Sequence, residues 1–209
     1  MKVVAINGSA KQKGNTYHAL NIVCEELEKE GIATNIIHVG NMKLKDCIAC
    51  NRCKDGYCVH NDDILINMID EIYEADGLLL GSPVYYCGIS GTLKNFLDRL
   101  FYADDGRMRH KVAAAISIPR RSGGIPAFDQ LNHYFLISEM LITPSNYWNV
   151  IHGGSPGEVL KDSEGVSVLK NLARNMSWMI KMKESTKNTI PAPDAYPRSW
   201  TNFIRQDLL

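Results

Sequence analysis

The sequence predicts a single α/β domain built on a five-stranded parallel sheet in the order 2-1-3-4-5, with helices on both faces. Short, continuously apolar runs alternate along the chain with stretches whose apolar residues recur every three or four positions. Alternating strands and helices favour a parallel sheet, and right-handed crossovers then give a doubly wound arrangement. In such a sheet a ligand site lies at the carboxyl ends of the strands, at the switch between strands one and three.

The elements follow one another in a regular order. The predicted strands are residues 3–6, 36–39, 77–81, 112–117 and 142–149, and the predicted helices are residues 16–30, 62–75, 90–100, 128–140 and 164–183. The first helix has an apolar face that runs from Leu20 to Leu27. Gly31 follows it, as glycines commonly do at helix C-termini. Ser90 or Thr92 is the expected N-cap of the third helix.

Composition indicates an ordinary globular domain at residues 1–184, followed by a C-terminal tail at residues 185–209 that is a candidate oligomer contact. The 209 residues are 45% hydrophobic and 22% charged. The 23 basic and 23 acidic residues cancel, which favours neither a nucleic acid nor an anionic membrane surface as a partner. No stretch reaches the roughly 18 apolar residues that a membrane span needs, and no leader precedes the first strand. We therefore expect a cytoplasmic protein with reduced thiols.

The loop after the first strand has the composition of a phosphate site. Residues 6–16 read INGSAKQKGNT, in which Gly14 permits a tight turn and Asn15 or Thr16 is placed to cap the next helix. Open N–H groups at that helix start, together with Ser9 and Lys11, suit a phosphate. The Walker ending and the three-glycine dinucleotide pattern are both absent. The loop therefore favours a mononucleotide, with an ordinary polar strand–turn–helix as the alternative.

The loops after strands three and four are expected at the same edge of the sheet, because the carboxyl ends of parallel strands meet there. Flat aromatic faces in the first of these loops suit stacking against a planar ring. The second is rich in glycine, which lets backbone amides approach such a ring and stabilise negative charge on its reduced form. Its arginines suit either the same negative charge or the phosphates of a pyridine nucleotide. Each loop taken singly is also compatible with a purely structural role. The candidates are Pro83, Val84, Tyr85, Tyr86, Arg120, Arg121, Ser122, Gly123 and Gly124.

The first loop resembles the FMN-binding signature of flavodoxin-like proteins, in which Ser-x-Lys/Arg-x-x-Gly-Asn-Thr wraps the FMN phosphate. From residue 1 to about 183 the chain resembles the NADPH-dependent FMN reductase-like branch of the flavodoxin superfamily, close to the iron–sulfur flavoproteins. Ala10 stands where that family usually has proline. The resemblance implies bound FMN, two-electron chemistry and a homodimer or homotetramer. Its matches are residues 7–11 with 14–16, 81–86, 93–99, 152–154 with 156–158, and 200–205.

Four of the six cysteines fall within twelve residues, as Cys47, Cys50, Cys53 and Cys58. Thiolates at this close spacing wrap naturally around an iron–sulfur cluster. The pattern resembles the iron–sulfur flavoprotein motif, which implies a [4Fe–4S] centre that delivers single electrons to FMN. Structural zinc and free or redox-active thiols remain alternatives.

Three other side chains are candidates for either a functional or a purely structural role. Cys87 follows the two tyrosines of the loop after strand three, and it is either a redox thiol near the flavin or a buried loop cysteine. Cys24 lies on the apolar face of the first helix and is expected in the core. His152 precedes two glycines after strand five. It is expected to contact the active site or a neighbouring subunit, or to be a structural histidine whose hydrogen bonds are satisfied within the fold.

Together these features predict an FMN-dependent oxidoreductase in which the flavin carries the chemistry and no side chain is a catalytic nucleophile or acid. Electrons arrive as hydride from NAD(P)H or singly through the cluster, for which a ferredoxin-type redox protein is a candidate partner. They leave to a small acceptor such as a quinone, an azo or nitro compound, or free flavin. The alternatives are a flavodoxin-type electron carrier and a redox sensor that uses the cysteine loop. Zero net charge argues against the carrier, because such carriers dock electrostatically.

Overall fold

A computed structural model describes residues 1–60, 63–197 and 199. It contains a five-stranded parallel sheet in the order β2-β1-β3-β4-β5, so the predicted fold class and strand order are confirmed. Asp62, expected at a helix start, and the motif at 200–205 lie outside the described residues. The strands are β1 (Lys2–Asn7), β2 (Ala33–His38), β3 (Gly77–Pro83), β4 (Val112–Ile118) and β5 (Leu141–Ile142).

Helices cover both faces of this sheet. They are α1 (Asn15–Lys29), α2 (Asp63–Glu74), α3 (Gly91–Ala103), α4 (Gly124–Ile137) and α5 (Ser163–Thr186), with a short 3-10 helix at Glu158–Lys161. Ser90 caps α3 as expected, because its Oγ accepts the N–H of Leu93 at 3.4 Å. Within the described chain, no helix combines the length and the apolar character needed to cross a membrane.

Alternating side chains of the central strands divide the core into two layers. In β1, Val4 and Ile6 pack on the face covered by α2, α3 and α4, whereas Val3 and Ala5 pack on the face covered by α1 and α5. Because both faces are covered, β4 is buried at every position, which explains why the sequence shows continuous apolar runs rather than alternation. Cys24 lies in the second layer, as predicted.

The fifth strand is much shorter than predicted. The sequence suggested a strand through residue 149, but β5 ends at Ile142 and the chain then leaves the sheet. Pro144 has no N–H with which to continue the ladder, and Tyr147 and Trp148 project towards solvent. The chain returns at Val150, which forms an isolated parallel bridge with Ser117. An irregular segment, residues 143–149, therefore lies beside the carboxyl end of β4.

Helix boundaries also shift. α4 begins at Gly124 rather than near residue 128, directly after Gly123, whose φ of 83° is left-handed. α5 extends to Thr186, beyond the predicted end at residue 183.

Candidate functional site

The loop after β1 is held from below by a buried amide. Asn7 is fully buried at the end of the strand, and its Oδ1 accepts the N–H of Ser9 at 3.0 Å. Its Nδ2 donates to the carbonyl of Gln12 at 3.0 Å. Ser9 Oγ in turn accepts the N–H of Lys11 at 3.1 Å. Asn7 was not among the predicted site residues, although a polar residue at the end of an otherwise apolar strand was a signal for it.

Neighbouring elements fix the same loop from two sides. His38, at the end of β2, donates from Nε2 to the carbonyl of Ser9 at 2.7 Å. A Cβ atom at Gly40 would lie 2.1 Å from that carbonyl oxygen, so the backbone approach requires glycine here. On the other side, the hydroxyl of Ser90 donates to the carbonyl of Gly8 at 2.6 Å. The loop is thus positioned before any ligand binds.

The start of α1 faces this loop with open backbone donors. Its N-cap is Gly14, not Asn15 or Thr16 as the sequence suggested, and no side chain caps the helix. In the described part of the chain, His18 is the first residue of α1 whose N–H has a backbone acceptor, the Gly14 carbonyl at 3.2 Å. The first turn contains no acidic residue that would neutralise the positive end of the helix dipole. A dianion is the natural partner of this arrangement.

An orphaned polar atom supports ligand binding at the same place. Asn15 Oδ1 is buried, and no described residue gives it a hydrogen bond. Asn15 also packs against Gly153, where a Cβ atom would lie 2.9 Å from Asn15 Nδ2. Leaving a buried amide oxygen unsatisfied costs about 1–3 kcal/mol. A ligand hydroxyl that donates to Asn15 Oδ1 would remove that penalty.

The loop after β3 contributes one wall through Pro83, Val84 and Tyr85. Tyr85 and Gly88 exchange two backbone hydrogen bonds of 2.9 Å each, which closes a two-residue turn. This turn aims Tyr85, half exposed, along the cleft. Tyr86, at the tip of the turn, is fully exposed and does not line the cleft.

Cys87 follows Tyr86 in the same turn, and it is exposed rather than buried. Both residues have left-handed φ values, 48° for Tyr86 and 62° for Cys87. Cys87 packs against the loop after β4, since a Cβ atom at Gly123 would lie 2.9 Å from its Sγ. The loops after β3 and β4 therefore contact each other at this point.

The predicted residues of the loop after β4 divide between two concavities. Arg120 lines the cleft formed by the loops after β1 and β3. Arg121, Gly123 and Gly124 line a neighbouring cavity instead. Ser122 is exposed and lines neither of them.

A fourth wall comes from the segment between β5 and α5, which the sequence analysis quoted as a motif without giving it a role. The N–H of Gly153 donates to the carbonyl of Pro119 at 3.1 Å. The N–H groups of Gly154 and Ser155 each donate to Glu158 Oε2 at 2.7 Å. These bonds fix Gly153 and Gly154 in the wall of the cleft, where Gly153 packs beside Asn15. His152 is not in this cleft; its Nδ1 lies 3.4 Å from Asp162 Oδ2.

The resulting cleft has a volume of about 270 Å³ and a positive character. Its charged side chains are Lys11 and Arg120, and none of the lining residues is acidic. An anionic group at the α1 end and a planar group beside Tyr85 match this distribution. The residues present therefore fit FMN. The cleft is lined by Ser9, Ala10, Lys11, Gly14, Asn15, Thr16, Pro83, Val84, Tyr85, Ile118, Arg120, Gly153, Gly154 and Pro156.

The four clustered cysteines lie on the long connection between β2 and α2. All four are half-buried, although most residues between them are exposed. Burial raises the pKa of Cys53, and the nearby thiols of Cys58, Cys47 and Cys50 raise it further. Four cysteines within twelve residues supply the ligand type that iron–sulfur clusters use. In the described ranges, no three His, Cys, Asp or Glu side chains converge closely enough to hold a single metal ion.

Aromatic and basic side chains anchor the far end of this cysteine loop. The Arg107 guanidinium lies over the rings of Tyr57 and Tyr73, 5.4 and 4.9 Å from their centroids. Its Nη2 donates to the carbonyl of Asp55 at 2.9 Å. Tyr73 donates to the carbonyl of Gly56 at 2.7 Å. The segment between Cys53 and Cys58 is therefore fixed against α2 and the end of α3.

Comparison with known proteins agrees with this geometry. Residues 1–154 match the family of NADPH-dependent FMN reductases. An iron–sulfur flavoprotein of Methanocaldococcus jannaschii is 33% identical over 191 residues, which cover 87% of this chain and 98% of that protein.

Solved structures agree on the fold. RosB with bound 8-demethyl-8-formylriboflavin-5′-phosphate superposes with a TM-score of 0.71 at 16% identity, over 98% of this chain and 94% of that one. A flavodoxin from the domain Archaea gives 0.59 at 16% identity, over 87% and 99% of the two chains. The fold is thus flavodoxin-like, and with the sequence match the chain belongs to the NADPH-dependent FMN reductase family.

Proposed function

We propose that the protein is an FMN-dependent oxidoreductase that accepts a hydride from NAD(P)H and passes electrons to a small acceptor. The acceptor class is a quinone, an azo or nitro compound, or free flavin. Family membership supports a flavin-dependent oxidoreductase, and the donor and acceptor are the new part. The observation that carries the proposal is the acid-free cleft in which open α1 amides, Lys11 and Arg120 surround space for a phosphorylated planar ligand.

In this proposal the first loop binds the FMN phosphate. The N–H groups at the start of α1 donate to it, and Lys11 supplies the balancing charge. Buried Ser9 and Thr16 bring hydroxyls to the same end of the cleft. Asn15 Oδ1 accepts a hydrogen bond from the polyol chain. Because the loop is fixed by Asn7 beforehand, little ordering accompanies binding.

The other loops position the ring. Tyr85, Arg120, Gly153 and Gly154, which line the cleft, would hold it. Bound FMN supplies the electron-transfer chemistry itself. None of the described residues that line the cleft carries a carboxylate, an imidazole or a thiol. The chain's task is to orient the ring and limit its contact with water.

Anaerobic titration of the purified holoprotein with NADPH and NADH tests the donor. We expect one or both nucleotides to bleach the flavin absorbance, and added quinone to restore it with turnover. Bleaching by dithionite but by neither nucleotide would reject the NAD(P)H proposal and favour the single-electron carrier.

The cysteine loop carries a second proposal, that Cys47, Cys50, Cys53 and Cys58 hold a [4Fe–4S] cluster. Its support is the shared half-burial of the four thiols and the anchoring of the loop by Arg107. The relative from Methanocaldococcus jannaschii is named an iron–sulfur flavoprotein, which concerns that protein. Such a centre would exchange single electrons with a ferredoxin-type partner.

Metal and sulfide analysis after anaerobic purification separates the three interpretations of these cysteines. A cluster requires about four irons and matching acid-labile sulfide per chain. One zinc per chain without sulfide indicates a structural zinc site instead. Metal-free protein with full FMN and alkylatable thiols would reject both.

A homodimer or homotetramer is also proposed. Its support is the exposed end of α4, where Leu136 and Ile137 are 64% and 66% exposed. Sedimentation equilibrium of the full chain tests it, and a monomer at micromolar concentration would reject it.

A further inference from the structure

The segment between Cys53 and Cys58 is a tight β-hairpin. Lys54 and Tyr57 exchange two backbone hydrogen bonds, of 3.0 and 2.9 Å, and form an isolated antiparallel bridge. Asp55 and Gly56 lie between them, with φ values of 51° and 83°. Two successive left-handed residues with the sequence Asp-Gly are typical of a type I′ turn, whose twist matches that of the strands it joins.

The register of this hairpin places Cys53 opposite Cys58. Lys54 and Tyr57 are a hydrogen-bonded pair, and in antiparallel strands the next pair outward is a non-hydrogen-bonded one. That next pair is Cys53 and Cys58. In such a pair the Cα atoms are about 4.5 Å apart and the side chains leave the same face. Disulfides need a Cα separation of about 4.4–6.8 Å, so the register meets this requirement without backbone movement.

The tip of the hairpin is fixed before any bond forms between the thiols. The hydroxyl of Tyr57 donates to Asp70 on α2 and accepts from Arg107 Nη1 at 3.2 Å. Arg107 also holds the Asp55 carbonyl through Nη2. A segment that is already closed at its tip loses little further conformational freedom when its two ends are joined.

The other two clustered cysteines lack such an arrangement. The residues on either side of Cys50, Ala49 and Asn51, are left-handed, with φ values of 50° and 54°. Cys50 Sγ lies 3.8 Å from His60 Nε2. In the described part of this loop no bridge pairs Cys50 with Cys47. The geometry therefore singles out one pair among the four thiols.

We propose that Cys53 and Cys58 form a reversible disulfide when the cysteine loop is free of metal. The oxidant is a low-molecular-weight disulfide such as glutathione disulfide, which can reach both half-buried thiols. One thiolate attacks it, breaks its S–S bond and releases one glutathione thiol, and the other thiolate then displaces the second glutathione from the mixed disulfide. The two protein thiols lose two electrons, and their protons end on the two released glutathione thiols.

This disulfide and a metal centre on the same loop exclude each other. Metal ligation requires thiolates, and closure removes Cys53 and Cys58 from the set of four. Assembly of any metal centre that uses these cysteines would then depend on the redox state of the surrounding thiol pool. Closure involves neither FMN nor a pyridine nucleotide, so the inference is independent of the proposed oxidoreductase activity.

Equilibration of the full chain in glutathione buffers tests the pair. The protein is treated with chelator and dithiothreitol, checked to be free of iron and zinc, and incubated at a series of ratios of reduced to oxidised glutathione before acid trapping. We expect two thiols per chain to be lost together, without retained glutathione. Trypsin cuts after Lys54 and chymotrypsin after Tyr57, so mass spectrometry of a non-reduced digest identifies a Cys53–Cys58 link.

Variants separate this pair from its neighbours. Cys58→Ser should leave Cys53 as a mixed disulfide with glutathione, whereas the double variant Cys47→Ser with Cys50→Ser should still close. Arg107→Gln should lower the equilibrium constant for closure by at least about fivefold, because the tip loses its contacts with Asp55 and Tyr57. Arg109→Gln is the matched control, since Arg109 bonds Glu139 rather than the hairpin.

Three results would overturn the proposal: no intramolecular disulfide at any glutathione ratio, a link between Cys47 and Cys50 instead, or closure that survives in Cys58→Ser. Equal closure in the Arg107→Gln and Arg109→Gln variants would contradict the role given to the fixed hairpin tip. Failure of NADPH and NADH to reduce the flavin would reject the proposed function and leave the disulfide unaffected.

Discussion

Asn7 is the residue on which the first loop depends most directly. It is fully buried, and its side-chain amide forms hydrogen bonds with two backbone groups that would otherwise lack partners. A hydrophobic residue here would fit the strand but would leave the Ser9 N–H and the Gln12 carbonyl unsatisfied. The geometry of the loop therefore depends on a buried strand residue that resembles a core position in its burial.

Asn7→Ala is expected to lower the free energy of unfolding by about 1–3 kcal/mol and to weaken FMN binding by about tenfold or more, because both hydrogen bonds are lost in a buried setting. Urea denaturation and flavin fluorescence titration measure the two effects. Asn21→Ala is the control, since Asn21 bonds only exposed Glu25 on α1, and it should change stability by less than about 0.5 kcal/mol. Equal effects of the two substitutions would contradict this role.

The thiols differ in pKa for reasons that the structure makes specific. The backbone N–H of Arg52 and its side chain hydrogen-bond the Cys50 thiolate and lower the pKa of Cys50. Burial, and then the neighbouring thiols, raise the pKa of Cys53. Burial raises the pKa of Cys24 to about 12. These shifts apply to protein without metal.

In metal-free reduced protein, alkylation should therefore proceed in a fixed order as the pH rises. A lowered pKa means that the thiolate forms at lower pH. Below pH 9, which is the ordinary pKa of a free thiol, Cys50 should therefore react before Cys53. Cys24 should stay unmodified until the protein unfolds. Peptide mass spectrometry after timed iodoacetamide treatment gives the rates. Faster reaction of Cys53 than of Cys50 would contradict the assignment.

At the scale of elements, the loops after β3 and β4 act as a pair. Gly123 has a φ of 83°, and the Cys87 Sγ lies where its side chain would begin. From the sequence, the glycines of this loop are expected to allow close approach of backbone amides to a ligand ring. The structure adds a different reason at Gly123, which is close approach by the neighbouring loop.

Gly123→Ala should destabilise the protein by about 1–2 kcal/mol, from the left-handed backbone and the 2.9 Å contact with Cys87 Sγ. It should also shift Tyr85 and weaken FMN binding. Gly91→Ala is the control, because a Cβ atom at Gly91 meets nothing within 4 Å and alanine favours the first turn of α3. Chemical denaturation of both variants decides the point. A neutral Gly123→Ala would mean that the two loops do not constrain each other.

At the scale of the whole molecule, much of the architecture was predictable because short apolar runs alternate regularly with amphipathic stretches along the chain. Continuous apolar runs such as that of β4 are typical of strands covered by helices on both faces. The strand order was then predicted from the alternation of strands and helices along the chain. The end of β5 was not predictable in the same way. Tyr147 and Trp148 are residues common in strands, whereas Pro144, which lacks an N–H, marks where pairing stops.

Site residues divided along a similar line. The loop at 9–16 was visible because its cleft-lining residues are close together in sequence. Gly153 was not given a role, because its contact with Asn15 joins residues more than a hundred positions apart. Arg120 and Arg121 are adjacent, yet they serve different concavities, and that division depends on backbone direction after β4 rather than on residue type.

Because the cleft draws on four separate segments, FMN should stabilise the entire domain. At a free concentration about 100 times its Kd, a ligand adds about 2.7 kcal/mol to the free energy of unfolding. For a chain of 209 residues this corresponds to a rise in Tm of roughly 5–10 °C. Riboflavin lacks the phosphate, so at equal concentration it should give a much smaller rise.

Differential scanning fluorimetry of apoprotein with each flavin measures these shifts. Lys11→Ala should reduce the rise produced by FMN and leave the small riboflavin rise unchanged, since only the phosphate contact is lost. Lys13→Ala is the matched control, because Lys13 is an exposed residue of the same loop that does not line the cleft. Equal shifts for FMN and riboflavin in wild-type protein would mean that the loop after β1 does not bind phosphate, and the cleft would then need a different occupant.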